Sequence, residues 1–170
     1  MVLLQSSMVP LGSSAHDFSL KGLDGEMHSL ADYSDAKVLV LIFMCNHCPY
    51  VQEIWDDLVT LENGMSSEVQ FVSVNSNANP AYPEDSFEKM KEYAEEKGQK
   101  FPYLYDEGQE MARAYDAQCT PDIFVYGEER ILKYRGSFDD LESAVNSLLS
   151  GEEPAQEQVY SQGCSIKWME

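Results

Sequence analysis

The stretch that decides the fold is Val38-Leu39-Val40-Leu41-Ile42-Phe43-Met44-Cys45-Asn46-His47-Cys48-Pro49. Its first seven residues form an unbroken apolar run. Continuous rather than alternating apolarity predicts a strand that is covered on both faces, as in a central parallel sheet. Pro49 then opens an amphipathic segment that ends at Asn63-Gly64 and predicts a helix. The two cysteines therefore lie between a buried strand and the start of a helix.

Outward from this stretch, strands and helices alternate. An Asp24-Gly25 turn predicts a β-hairpin over 17–30. Further predicted elements are a buried strand at 69–74, a charged helix at about 84–97, a short strand at 101–105, a short helix at 109–115, a hairpin at 123–134 and a helix at 138–149. This order predicts an α/β three-layer sandwich around a mixed central sheet, with an N-terminal β-hairpin.

Length and charge restrict the function. The 170 residues suit one domain, predicted over 15–150 between an N-terminal arm (1–14) and a C-terminal tail (151–170) whose Ile166 and Trp168 we expect to dock on it. Eleven Lys and Arg against thirty Asp and Glu give a net charge of −19, which argues against nucleic-acid and membrane-surface roles. The excess acidity fits either solubility or a salty cytoplasm.

The N-terminal residues lack the basic and apolar regions of a secretory signal, and no stretch approaches the ~18 continuous apolar residues of a membrane span. We therefore expect a cytoplasmic protein without a membrane partner, in which cysteines stay reduced unless they take part in catalysis.

The spacing of Cys45 and Cys48 favours a reversible disulfide. Residues three apart on a helix have Cβ atoms about 5–6 Å apart, whereas a disulfide needs about 3.5–4.5 Å. The bond therefore forms only if Cys45 lies at the helix edge, which predicts an exposed Cys45 with Cys48 beneath it. The helix start favours an anion and predicts a lowered pKa for Cys45. Asn46 and His47 are supporting candidates, and a His47 imidazolium would stabilise the thiolate further.

A Cys-x-x-Cys pair can also be half of a zinc site. The other half needs a second close pair of ligands, but Cys119 and Cys164 are 45 residues apart. We therefore expect no metal. A metal-binding or metallochaperone module that uses Cys45, Cys48 and His47 remains an alternative.

A second feature, Thr120-Pro121, stands just before a predicted strand, where X-Pro bonds adopt the cis form. Together with the cysteine motif at the helix start, it makes residues 15–150 resemble the thioredoxin superfamily. More narrowly, FMCNHCPYV at 43–51, CTPD at 119–122 and GCSIKW at 163–168 resemble the peroxiredoxin-like (redoxin) thioredoxin family proteins.

The resemblance implies that Cys45 is the attacking nucleophile and Cys48 the resolving cysteine. It also implies that Pro121 is a cis-proline packed against the pair and that Thr120 offers backbone groups to an extended substrate.

Two departures from the family pattern bear on the chemistry. Leu39 and Leu41 stand where thioredoxins carry a buried carboxylate, so His47, water or a distant acid would have to manage the proton. Ile42 stands where peroxidatic peroxiredoxins carry Thr, which weakens a direct peroxidase function.

The leading hypothesis is a thiol-disulfide oxidoreductase that needs no cofactor. It would act on protein disulfides through a mixed disulfide and be recharged by a thiol reductant. Its acidic body predicts basic protein partners. The alternatives are a thiol peroxidase acting on peroxides through a sulfenic acid, the metal module above, and a redox-inert scaffold.

The remaining two cysteines have either a redox or a packing role. Cys119, two residues before Pro121, is either an alternative disulfide partner near Cys45 or a small buried apolar residue. Cys164 is either a tail thiol that reaches the site or a packing residue beside Trp168.

Overall fold

The computed structural model describes residues 3–169, which form two sheets and four α-helices. The strands are β1 (Leu3–Gln5), β2 (Ser19–Gly22), β3 (Met27–Ser29), β4 (Val38–Phe43), β5 (Val69–Asn75), β6 (Tyr103–Tyr105), β7 (Cys119–Thr120), β8 (Asp122–Tyr126), β9 (Leu132–Gly136) and β10 (Gln162–Ser165). The helices are α1 (Pro49–Asn63), α2 (Phe87–Lys97), α3 (Glu110–Ala114) and α4 (Leu141–Leu149). Within 3–169, no helix combines the length and apolarity needed to cross a membrane.

The larger sheet is built around β4, whose six apolar side chains are all buried. The strand order is β3-β2-β6-β5-β4-β8-β9. β4 pairs in parallel with β5 and antiparallel with β8, so the sheet is mixed. The predicted α/β class, mixed central sheet and N-terminal hairpin (β2 and β3) are confirmed.

Alternate residues of β4 face two separate cores. Val38, Val40 and Ile42 belong to a core that also contains apolar residues of α1, α2 and α4. Leu39, Leu41 and Phe43 face a second core formed with α3 and with apolar residues of both chain ends, including Ile166. Because both faces are covered, neither face needs polar residues, which explains the continuous apolar run.

A second sheet, which the sequence analysis did not predict, joins the two chain ends to the middle of the chain. It is antiparallel with the order β1-β10-β7. β1 has three residues and β10 has four, too few for an alternating pattern to stand out from the background. The tail, for which the sequence predicts no strand, therefore contributes β10 to this sheet.

Two predicted helices begin three residues later than expected. A 3-10 turn over Pro83–Asp85 precedes α2, and the Ser86 hydroxyl caps the helix by accepting the Lys89 backbone N–H. A similar turn over Phe138–Asp140 precedes α4. The later start of α2 matters for function, because Asp85 lies in a buried turn instead of in the charged helix predicted over about 84–97.

Candidate active site

The cysteine motif and the Thr120–Pro121 peptide meet at one end of β4. Cys45 follows β4 closely, and Cys48 is the N-cap residue of α1 with Pro49 in the first helical position. β8 pairs with β4 through Asp122 and Phe43, which brings the residues before β8 alongside the motif. The Thr120–Pro121 bond is cis. The Cys45 sulfur lies 3.6 Å from the Thr120 hydroxyl, and the Cys48 sulfur lies 3.4 Å from the Thr120 carbonyl oxygen.

Both motif cysteines are enclosed. Cys45 is 0% exposed and Cys48 is 1% exposed. The prediction of an exposed Cys45 is therefore wrong for this structure. It treated the helix start as an open surface, whereas Thr120 lies against both sulfurs and Cys164 of β10 lies against Cys48.

The pKa values of the two motif cysteines shift in opposite directions, and the lowered one belongs to Cys48. The thiol of Cys45 donates to the Cys48 sulfur, and this hydrogen bond is the main reason that the pKa of Cys48 falls to about 4. The Cys164 thiol and the Val51 backbone N–H lower the pKa of Cys48 further, whereas burial opposes them. The N–H contribution is the helix-start effect that the sequence predicted, but it acts on the second cysteine of the motif.

Cys45 has the opposite shift. Its hydrogen bond to Cys48, its burial and the nearby Asp85 carboxylate raise its pKa well above the ordinary value. The prediction of a lowered pKa for Cys45 is therefore wrong for this structure. The main reasons are the interaction with Cys48 and burial, and the charge of Asp85, a residue that the sequence did not single out, adds to them.

Asp85 organises the two residues between the cysteines. Its side chain is fully buried, and its Oδ1 accepts the backbone N–H groups of Asn46 (2.9 Å) and His47 (3.1 Å). His47 Nδ1 lies 2.6 Å from Asp85 Oδ2, within ion-pair distance, but this contact does not form a hydrogen bond. The Asn46 side chain is also held, since its oxygen accepts the Tyr103 hydroxyl at 2.8 Å. The Asp85 carboxylate thus holds the backbone of the loop between Cys45 and Cys48.

The structure places a carboxylate, that of Asp85, near the motif although the strand before the motif is apolar. Leu39 and Leu41, at the positions that carry a carboxylate in thioredoxins, are both buried in the apolar core. Asp85 reaches the site from the turn before α2 instead. Among thirty acidic residues nothing in the sequence distinguishes it. The nearest signal is the unusual polarity of the segment 75–83, whose Asn75 and Asn77 hold Asp85 in place.

The two other cysteines lie in different environments. Cys119 points at the Pro121 carbonyl oxygen, 3.6 Å away, and burial raises its pKa far above the ordinary value. Cys164 lies within the site, with its sulfur 2.6 Å from that of Cys48. Ile166 is buried just beyond it, whereas Trp168 is 36% exposed and packs under the Arg113 guanidinium.

The Redoxin family model matches residues 10–149. The chain belongs to the Redoxin family. A thiol-disulfide oxidoreductase ResA of Geobacillus kaustophilus is 27% identical over 150 residues, which cover 85% of this Redoxin chain and 81% of that protein. The chain is therefore a thiol-disulfide oxidoreductase-like Redoxin protein.

Solved structures share the architecture. An uncharacterized conserved protein from Geobacillus kaustophilus is 42% identical with a TM-score of 0.96, covering 99% of this chain and 97% of that one. The thioredoxin domain of a thiol-disulfide oxidoreductase from Bacteroides vulgatus is 18% identical with a TM-score of 0.68, covering 82% and 97%. The second likeness shows the thioredoxin-like fold, and the expected superfamily is confirmed.

The Redoxin site also contains a group that is able to hold a metal ion. Donor atoms of Cys45, His47 and Asp85 all lie within 4.8 Å of one another. Thiolate, imidazole and carboxylate are all zinc ligands. This set differs from the predicted one, because Asp85 takes the place of Cys48.

Proposed function

We propose that this Redoxin chain is a thiol-disulfide oxidoreductase whose working pair is Cys45 and Cys48. The observation that carries the proposal is the position of both sulfurs against Thr120 of the cis peptide, at 3.6 Å for Cys45 and 3.4 Å for Cys48, and the lowered pKa of Cys48, about 4, supports it. At neutral pH the pair therefore holds a thiolate and a thiol in contact, which is the starting state that disulfide exchange needs.

In the proposed cycle Cys45 attacks the substrate and Cys48 resolves. The Cys48 thiolate takes the Cys45 proton across their hydrogen bond, and the Thr120 hydroxyl, which lowers the pKa of Cys45, stabilises the new thiolate. Cys45 then bonds to one substrate sulfur, and the other leaves with the electron pair and takes a proton. Cys48 next loses its proton and attacks the Cys45 sulfur, which releases the second substrate thiol and leaves a Cys45–Cys48 disulfide.

The test is to trap the mixed disulfide. Reduced Cys48→Ser protein, mixed with a peptide disulfide, is expected to accumulate the peptide on Cys45, as read by mass spectrometry of the digest. Cys119→Ser is the matched control and is expected to complete the reaction. If Cys45→Ser and Cys48→Ser both reduce the peptide at the wild-type rate, the proposal fails.

The reduction potential of the pair would then give the direction of transfer. Equilibration with glutathione measures this potential: a value of about −270 mV indicates a reductase, and a value of about −120 mV indicates an oxidant. The peroxidase alternative is tested in the same preparation, since a peroxidase would lose its thiols to hydrogen peroxide faster than cysteine in solution does.

A second candidate function, metal binding, is favoured by the cluster of Cys45, His47 and Asp85. It predicts that reduced protein binds one equivalent of Zn²⁺ and that His47→Ala abolishes binding. Thr60→Ala, a substitution at an exposed position of α1 outside the cluster, is the control. Zinc binding that is unchanged in His47→Ala would remove this candidate.

A further inference from the structure

The C-terminal strand β10 occupies the edge next to the cis-proline. It pairs antiparallel with β7, so that Cys164 lies opposite Thr120 and Ser165 lies opposite Cys119. Extended peptides bind proteins by adding a strand to such an edge through main-chain hydrogen bonds. The tail therefore holds, within the same chain, the position that an extended substrate would take beside the reactive cysteines.

The tail is held there closely and along its length. An added Cβ at Gly163 would lie 1.9 Å from the Thr120 carbonyl oxygen, so only glycine allows this approach. The Lys167 backbone N–H donates to Asn77 Oδ1 at 3.0 Å, and its carbonyl oxygen accepts the Gln109 side-chain amide at 2.9 Å. The close approach at Gly163 and the hydrogen bonds at Lys167 thus hold the tail on both sides of Cys164.

This placement makes Cys48 the middle member of a row of three sulfurs. Cys48 contacts Cys45 on one side through a hydrogen bond and Cys164 on the other at 2.6 Å. All three residues are at most 2% exposed. A disulfide bond is about 2.05 Å long, so the Cys48 and Cys164 sulfurs, 2.6 Å apart, lie close to bonding distance.

We propose that Cys164 is a third redox-active thiol, which takes over the disulfide from the Cys45–Cys48 pair. The proposal rests on the proposed function, because that reaction creates the Cys45–Cys48 disulfide. The Cys164 sulfur bonds to the Cys48 sulfur, and the Cys45–Cys48 bond breaks with its electron pair passing to Cys45. The proton of Cys164 ends on Cys45. One disulfide is exchanged for another, so the step needs no external oxidant.

Formation of the first disulfide also prepares the second step. In the reduced protein the pKa of Cys164 is raised to about 12, by burial first and then by its hydrogen bond and charge interaction with Cys48. Once Cys48 is part of a disulfide, its hydrogen bond and its charge no longer raise the pKa of Cys164, whereas the charge of Lys167 continues to lower it. Cys164 therefore becomes easier to ionise when its target is ready.

The experiment uses oxidised glutathione and a Cys45→Ser variant, in which only Cys48 and Cys164 of the row remain. We expect this variant to release two glutathione molecules per chain and to give a Cys48–Cys164 peptide by mass spectrometry. The matched Cys45→Ser/Cys164→Ser variant is expected to release one and to remain glutathionylated at Cys48. Thermal melting of both variants verifies that they are folded.

Wild-type protein supplies the second measurement. Partial oxidation is expected to give both Cys45–Cys48 and Cys48–Cys164 peptides, and the second is lost in Cys164→Ser. If wild type gives only Cys45–Cys48 and the Cys45→Ser variant stops at the mixed glutathione disulfide, the third thiol is refuted while the proposed function stands. If no wild-type disulfide includes Cys45 or Cys48, both fail.

Discussion

Replacing Gly163 by alanine is expected to lift the tail strand from the cysteine motif. The new Cβ would lie 1.9 Å from the Thr120 carbonyl oxygen and 2.6 Å from its carbon. Both atoms belong to the backbone of a buried residue, so β10 must move instead. Overpacking of this kind costs about 1–3 kcal/mol. At about 1.4 kcal/mol per tenfold, the population with β10 detached rises roughly 5- to 150-fold.

The assay is alkylation of Cys48 under native conditions, because Cys164 of β10 contacts its sulfur directly. When opening is fast relative to alkylation, the rate follows the open population. Iodoacetamide labelling, read by mass spectrometry at Cys48, should therefore accelerate by the same factor. Gly64→Ala is the control, since its Cβ would meet only the Leu61 and Thr60 carbonyl oxygens at 3.7 Å. Its labelling rate should stay within about twofold of wild type.

Equal labelling rates in Gly163→Ala and Gly64→Ala would show that β10 does not protect Cys48. Global unfolding is separated from strand release by the melting temperature. If Gly163→Ala accelerates labelling only in proportion to a lower global stability, the reasoning also fails, because the clash is confined to one strand.

Four other predictions follow from the charges in and around the site. Asp85→Ala leaves the backbone N–H groups of Asn46 and His47 without an acceptor, which costs about 1–3 kcal/mol for each group. The free energy of unfolding, measured in urea, should therefore fall by more than about 2 kcal/mol. Asp57→Ala, at an exposed position, is the control and should change it by less than about 0.5 kcal/mol. Ultraviolet thiolate absorbance should rise with a midpoint at about pH 4 in wild type and Cys119→Ser but not in Cys48→Ser. Since the pKa of Cys48 is about 4 folded against about 8.5 unfolded, its contribution to stability grows with pH between these values and is lost as the pH falls through 4. Added salt should slow the reduction of the oxidised chain by a basic protein that carries a thiol, because the net charge of −19 attracts that protein and salt screens the attraction. Reduction kinetics that do not change with salt would contradict this.

The sequence predicted the parts of the fold in which local pattern and burial agree. The apolar run of β4 and the helical spacing of α1 each extend over several residues, and tertiary packing buries the same side chains that the pattern identifies. β1 and β10 are too short to show such a pattern. Their pairing depends on contacts between chain ends more than 150 residues apart, as between Leu4 and Gly163, which no local window contains.

The structure brings together the candidate site residues whose chemistry is tied to a position in the chain, Cys45, Cys48 and the Thr120-Pro121 pair. The cysteine spacing and the Thr120-Pro121 pair remain visible in the sequence whatever surrounds them. Asp85 was missed because its role comes from burial: Asn75 and Asn77 hold its turn beneath the motif by hydrogen bonds of 2.8 and 3.0 Å. The exposure and acidity of Cys45 were wrong for the same reason, because both depend on neighbours that are distant in sequence.

The burial of the motif changes what limits its reactivity. With a Cys48 pKa of about 4, a thiolate that can take the Cys45 proton is already present throughout the neutral range, so the supply of a base does not limit the reaction there. Access is restricted instead, because β10 holds the Thr120 edge and Cys164 covers Cys48. Differences in rate among substrates should therefore follow their ability to compete with β10 for the Thr120 edge. An extended, flexible segment around the substrate disulfide should matter more than the pKa of the thiol that leaves.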